Sequence, residues 1–247
     1  MKYFAKIKYL GTDFHGFQVQ PGHRTVQGEL CVALESATGA TCKVTGCSRT
    51  DAGVHANEFC ITVESEKATV PPEKLPLAVA RFLPPDLSLY YASEAKESFH
   101  PRYSVKSKEY LYRIRNSRIN DPFEHGRAWL LNPPISDEAL EKMKSAASYI
   151  VGKKDFAAFM AEGSDVIDTV REIFYLTVER KDDYIEIKIC ADGFLYNMVR
   201  IIVGTLCEVA YGRILPEDIN SIIESKNRTK AGMTAPACGL YLNRVNY

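Results

Sequence analysis

The sequence lacks the features of a membrane or secreted protein. Its 247 residues contain no run close to the roughly 20 apolar residues that a membrane-spanning helix needs. The longest apolar-rich stretch, near 198–206, is interrupted by Arg200. The N-terminus alternates charged and apolar residues as a strand does, which is not the pattern of a signal peptide. We therefore expect a cytoplasmic protein.

Motifs for metal and nucleotide chemistry are also missing. None of the seven cysteines forms a C-x-x-C pair or has a histidine at ligand spacing, so reduced and mostly buried thiols are expected instead of disulfides or zinc. The five histidines are too dispersed to indicate a metal site. There is no G-x-x-x-x-G-K-[ST] or G-x-G-x-x-G loop, and the segment 46–50 lacks the last glycine of a nucleophile elbow.

An excess charge of one sign is absent, but the charges are segregated along the chain. Thirty-one basic and 31 acidic residues give a net charge of zero. Residues 96–118 contain seven Lys or Arg against two Glu, whereas residues 153–183 contain five basic and eight acidic residues. Such a stretch usually forms a solvated face, although it also allows a neutral protein to offer a basic groove to a phosphate backbone.

Hydrophobic periodicity indicates alternating strands and helices, which is typical of the α+β class. Strands are predicted at 2–10, 41–47, 57–65, 87–94, 108–116, 170–180, 184–191 and 239–245. Helices are predicted from the Thr25 cap to Gly39, and at 72–82, 136–151, 194–210 and 216–225. We expect two α+β halves, 1–104 and 105–247, with the boundary near 100–106.

The loop at 48–55 is the most informative segment. Gly53 and the small Ala52 allow a tight bend that would hold Asp51 forward into a cleft. Arg49 could set the loop geometry or meet a phosphate. The residues alone leave open a simpler interpretation, in which Asp51 is a turn carboxylate bonded to its own backbone.

Several segments distributed along the chain form an ordered set of motifs. They are GCSRTDAGVHA (46–56), Gly11 and Gly16 to Gln18 with Thr25-Val26-Gln27, FHPR (99–102), KEYLY (108–112), FLYNMVRIIVG (194–204) and NRTKAGMTAPACGLYL (227–242). Taken together, these segments resemble the tRNA pseudouridine synthase A family, and GCSRTDAGVHA is similar to the family signature. The matches run in order over nearly the whole chain. The departures are Leu10, Phe17, Ser48 and Asp192, which put the exact set of target uridines in doubt.

The resemblance implies a fold of two ferredoxin-like halves sharing a central mixed, mostly antiparallel sheet. It also implies a homodimer without a cofactor that isomerises uridines 38, 39 and 40 in the anticodon stem-loop of tRNA. Carried onto matching positions, Asp51 is the catalytic aspartate and Tyr110 meets the target base. Arg200 pairs with the Asp51 carboxylate, and Arg49 supports the loop and contacts the RNA backbone.

The chemistry of these residue types fits that implication. An ionised carboxylate could add to the base at C6, attack C1′, or take a proton from the sugar, and the sequence does not choose among these. Tyr110 could stack on a flipped base and remove its C5 proton. Arg200 could lower the carboxylate pKa, or it could extend to the solvent. Two other functions stay open: an RNA-binding module without catalysis, and a glycosidase that uses water as acceptor.

Overall fold

A computed structural model of the chain describes residues 1–66, 70–164 and 166–247. Ten strands lie in the described residues: β1 Lys2–Tyr9, β2 Cys42–Gly46, β3 His55–Ser65, β4 Leu87–Glu94, β5 Ser107–Arg115, β6 Trp129–Leu130, β7 Gly152–Asp155, β8 Val170–Lys181, β9 Tyr184–Ala191 and β10 Leu240–Asn246. The α-helices are α1 Val26–Thr38, α2 Leu75–Ala80, α3 Asp137–Ser148, α4 Met198–Ala210 and α5 Asp218–Ser225. Short 3-10 turns occur at Pro72–Lys74, Pro122–Glu124, Ala157–Phe159, Arg228–Lys230 and Ala237–Gly239.

By internal contacts the chain divides into two compact units. The first unit is Met1–Lys106 with Tyr241–Tyr247, and the second is Ser107–Leu240. These units differ from the division at 104/105 in two respects: their boundary lies at 106/107, and the last seven residues belong with the first unit. The division into the halves 1–104 and 105–247 stays a prediction.

The first unit is built on a mostly antiparallel sheet. Strand β1 pairs antiparallel with β3 and β4, and β3 also pairs antiparallel with β2 and parallel with β10. Alternate residues of β1 are buried, as the period of a half-buried strand requires. Helix α1 buries Val26, Leu30, Ala33 and Leu34. As predicted, Thr25 caps its start and Gly39 ends it, in a left-handed conformation.

The second unit is also built on a mostly antiparallel sheet. Strand β9 pairs antiparallel with β5 and β8, β8 pairs antiparallel with β7, and the two-residue β6 runs parallel to β5. Ten residues of α4 are buried, and α4 packs against α3. The predicted class, α+β with mixed and mostly antiparallel strand pairing, is confirmed.

Two details of the predicted secondary structure are wrong. The helix predicted at 194–210 begins only at Met198, because Asn197 adopts a left-handed conformation with φ of 57° and the chain turns there. Strands β6 and β7 were not predicted, since two residues and the polar run Gly-Lys-Lys-Asp carry no apolar alternation.

The seven cysteines are all free thiols. Five are buried, at 42, 47, 60, 190 and 207, and the other two are half-buried. Burial raises the pKa of the Cys207 thiol to about 12, so this thiol stays protonated near neutral pH. The prediction of reduced and mostly buried cysteines is confirmed.

Candidate active site

Asp51 lies in the turn that joins β2 to β3 in the first unit. Its carbonyl oxygen accepts the Val54 N–H at 3.2 Å, and Gly53 provides the positive φ of 79° that closes the turn. The preceding residue, Thr50, is buried, and its hydroxyl lies 2.8 Å from the Tyr9 hydroxyl. The Asp51 side chain is half-buried. The turn is therefore fixed on both sides of the carboxylate.

A second loop, residues 10–25, packs against the Asp51 turn through its backbone. Phe17 N–H donates to the Thr50 carbonyl at 3.1 Å, and Gly53 N–H donates to the Phe14 carbonyl at 3.2 Å. Gly16 has a φ of 82°, and a Cβ there would lie 2.4 Å from the Thr50 carbonyl oxygen. Only glycine fits this position without a shift of the backbone.

His55 is a structural residue that the sequence reasoning did not single out. It is fully buried, and its Nδ1 accepts the Gly11 N–H at 2.8 Å. Its ring stacks on Tyr241 with centroids 4.5 Å apart. His55 therefore fastens the second loop to the start of β3, directly after the Asp51 turn.

Arg24 fixes the other end of the second loop. It forms a bidentate pair with Asp86, with N–O distances of 2.8 and 2.9 Å, and a further contact to Glu29 at 3.2 Å. Its guanidinium also lies over the Phe14 ring, 4.1 Å from the centroid. The hydrogen bonds to Asp86 raise the pKa of Arg24 above its ordinary value. This arginine holds the fold together, whereas Arg49, beside Asp51, is exposed and suited to contact a ligand.

Tyr110 belongs to the second unit and lies in the middle of β5. It is 7% exposed, it pairs in register with Ile189 on β9, and its ring meets Phe194 edge-on with centroids 5.0 Å apart. The ring is therefore largely packed in the protein, so little of it can serve as an open stacking platform.

Arg200 also belongs to the second unit, on the first turn of α4. Its Nε donates to the Ala235 carbonyl at 2.7 Å and its Nη1 to Asn197 Oδ1 at 2.8 Å. The side chain is half-buried. It does not extend freely into the solvent, so the alternative that the sequence left open is excluded.

The segment 227–242, called here the C-terminal motif, packs directly against the backbone of α4. A Cβ at Gly204 would lie 1.8 Å from the Met233 carbonyl oxygen, and Gly232 N–H donates to the Thr205 hydroxyl at 2.9 Å. Arg228 closes this segment by donating to the Gly232 carbonyl at 2.9 Å, and burial lowers the pKa of its guanidinium. The motif thereby positions the helix that carries Arg200.

Part of the basic stretch 96–118 is paired with acidic residues. Each of its two central arginines faces a pair of carboxylates: Arg113 faces Glu124 at 3.5 Å and Glu186 at 3.8 Å, and Arg115 faces Asp121 at 3.7 Å and Asp183 at 3.5 Å. Arg113 and Arg115 are therefore already paired with acidic residues, and a role of the stretch in binding a phosphate backbone stays a prediction. The exposed cations of this stretch include Lys96, Arg102, Lys106 and Arg118.

Within 1–66, 70–164 and 166–247, no group of three or more His, Cys, Asp or Glu could hold a metal ion. Over the same residues, no helix has the length and apolar character to cross a bilayer.

Comparisons with known proteins agree with the sequence motifs. A family model described as tRNA pseudouridine synthase matches residues 5–104 and 146–247. A tRNA pseudouridine synthase A of Thermoanaerobacter sp. (strain X514) is 44% identical over 241 residues, which cover 98% of this chain and 97% of that protein. One of Bacillus pumilus (strain SAFR-032) is 41% identical over 249 residues, covering 100% and 99%. Among solved structures, a chain of a Cbf5-Nop10-Gar1 complex has a TM-score of 0.40 at 11% identity, over 97% of this chain and 48% of that chain, a likeness too low to bear on function.

Proposed function

Because the chain belongs to the tRNA pseudouridine synthase family, we propose that it isomerises uridines 38, 39 and 40 in the anticodon stem-loop of tRNA, with Asp51 as the catalytic carboxylate and no cofactor. The activity of a tRNA pseudouridine synthase follows from the family. The choice of uridines and the roles of individual residues are the proposal. We also propose, from the resemblance alone, a cytoplasmic homodimer.

The observation that carries the role of Asp51 is the construction of its turn. A carboxylate can act on a substrate only if it is held in place and still accessible. The Asp51 side chain is half-buried, and the turn around it is fastened to the second loop by the bonds between Thr50 and Phe17 and between Gly53 and Phe14. A turn carboxylate bonded only to its own backbone would not need a second loop packed so closely against it.

The reaction has a simple balance of bonds. The N1–C1′ bond of uridine breaks, a C5–C1′ bond forms, the proton at C5 leaves and N1 gains one. No external reactant is consumed. Asp51 could add to C6, attack C1′ or take a sugar proton, and each of these routes needs an ionised carboxylate. We assign Arg200, as the resemblance implies, to pair with the Asp51 carboxylate. Arg49 is assigned to contact the RNA backbone.

A uridine inside the anticodon stem must leave its stack before it can react. Flipping a base costs a few kcal/mol, which contacts in the protein must offset. The proposal assigns Tyr110 to meet the flipped base. Since its ring is 7% exposed, its contribution is expected to come mainly from its hydroxyl and ring edge.

The loss of the C5 proton provides a test that separates three functions. Transfer RNA carrying tritium at uridine C5 should release tritium to water when it is incubated with the protein. A glycosidase would instead release labelled free uracil, and a binding module would release neither. Retention of all the tritium in the tRNA would contradict the proposed function.

Arg200→Lys is expected to lower kcat about tenfold, which corresponds to the loss of one charge-assisted hydrogen bond in the transition state. The tRNA affinity should change little. Lysine keeps the charge, but it cannot direct separate N–H groups toward Ala235, Asn197 and a carboxylate. The control is Arg213→Lys, because Arg213 is a surface arginine paired with Glu208. Unchanged kcat in Arg200→Lys would contradict the assigned role.

Gly16→Ala is expected to lower kcat by up to about 100-fold, because a shift of roughly 1 Å in a reacting group costs on that order. The new Cβ would collide with the Thr50 carbonyl oxygen and displace the Asp51 turn. Gly22→Ala is a matched control: Gly22 also has a positive φ, of 76°, on the same loop, but a Cβ there has open space. Equal kcat losses in both variants would show that backbone strain, and not the contact with the Asp51 turn, is responsible.

A further inference from the structure

Two histidines on the second loop form a stacked pair at the surface. The rings of His15 and His23 have centroids 4.2 Å apart and an interplanar angle of 27°. Both residues are exposed. A stack of two exposed rings removes little apolar area from water, so it contributes little to the stability of the fold.

The loop that carries the pair is held rigidly. His15 N–H donates to the Arg24 carbonyl at 2.8 Å, and Gln20 Nε2 donates to the His15 carbonyl at 3.0 Å. Arg24 is itself fixed by its bidentate contact with Asp86. The two rings are therefore arranged before any ligand arrives, which lowers the entropy that binding would cost.

The backbone around His15 also contacts the Asp51 turn. His15 precedes Gly16, whose Cβ position is 2.4 Å from the Thr50 carbonyl oxygen and 3.3 Å from the Asp51 carbonyl carbon. Phe14 and Phe17, on either side of His15, are both hydrogen-bonded to that turn. The backbone on both sides of His15 is therefore fastened to the Asp51 turn.

We propose that the His15–His23 pair is a stacking platform for an unpaired base of the tRNA, next to the uridine that is presented to Asp51. The proposal rests on the proposed function. When a uridine flips out, its neighbours in the strand lose a stacking partner. Single-stranded and unstacked bases bind proteins by stacking on aromatic rings, including histidine, and an already stacked ring pair offers an outer face for a third ring. These are positioning residues for the substrate and not catalytic ones.

A metal ion is a weaker interpretation of the same pair. Two imidazoles alone make an incomplete site, and the described part of the chain contains no group of three or more potential ligands.

The test uses substitutions that separate ring stacking from hydrogen bonding. His15→Phe and His23→Phe keep a ring, whereas His15→Gln and His23→Gln keep a polar N–H group without a ring. Each Gln variant should raise the tRNA Kd and KM by about five- to 100-fold, the range that base stacking supplies, with kcat little changed. The Phe variants should bind as the wild type does. His125→Gln removes an exposed histidine of the second unit and should have no effect.

Each other outcome overturns the platform. Gln variants that bind like the wild type would show that the pair has no contact with tRNA. Phe variants as weak as the Gln variants would show that the imidazole nitrogens, not the rings, make the contact. The measurement of tRNA binding separates this proposal from the proposed function. A wild-type protein that binds tRNA without forming pseudouridine would refute the function, and the Kd values of the variants would still test the stacking platform.

Discussion

Asp51→Asn is expected to remove pseudouridine formation completely while tRNA binding and the fold persist. Asparagine has nearly the size of aspartate, but it lacks the negative charge and the nucleophilic oxygen that every proposed route requires. Removal of a catalytic nucleophile costs on the order of 10⁴–10⁶ in kcat, which places product formation below detection. The turn itself should survive, because its hydrogen bonds to Phe14, Phe17 and Val54 are made by the backbone.

The measurement is turnover of tRNA together with a gel shift and a melting curve on the same preparation. Asp13→Asn is the matched control, because Asp13 is an exposed aspartate on the neighbouring loop of the same unit. It should keep full activity. Activity retained in a folded Asp51→Asn protein would reject the assigned role of Asp51. Loss of binding together with activity would instead give Asp51 a role in holding the tRNA.

Tyr110→Phe is expected to lower kcat by roughly 10²–10⁴, the contribution of a positioned general acid or base. Phenylalanine fills the same buried space and keeps the edge-on contact with Phe194. Binding of tRNA should therefore change little. Single-turnover kinetics would isolate the chemical step from product release.

Tyr112→Phe is the control for the tyrosine series. Tyr112 lies two residues away on the same strand, is fully buried, and donates its hydroxyl hydrogen bond to the Pro236 carbonyl at 2.7 Å. Its loss should cost about 1 kcal/mol of stability without a change in kcat. Tyr110→Ala is less informative, since truncating a buried aromatic ring costs about 3–5 kcal/mol. A wild-type rate in Tyr110→Phe would leave the tyrosine only a packing role.

The secondary structure was predictable wherever the signal was local. Helix α1 follows from its Thr25 cap, its apolar face and the left-handed Gly39, and all three lie within 15 residues of sequence. The range 87–94 for β4 was predicted without error. The start of α4 was not, because apolar periodicity cannot detect the left-handed turn at Asn197.

The candidate site was predictable as a set of segments but not as an arrangement. The glycine at 16 was recognised as part of a motif, yet its close approach to Thr50 depends on tertiary structure. The pairing of Arg113 and Arg115 with acidic residues was not predictable for the same reason. The acids that neutralise Arg115 include Asp183, which is 68 residues away, and counting charges along the chain does not show this pairing.

The position of the product tests the central claim most directly. Full-length tRNA incubated with the wild-type protein would be treated with a carbodiimide, which labels pseudouridine stably, and then read by reverse transcription. The account predicts new stops at positions 38, 39 and 40, and none after incubation with Asp51→Asn. The absence of any new stop in the anticodon arm, with the protein folded and bound to the tRNA, would contradict it.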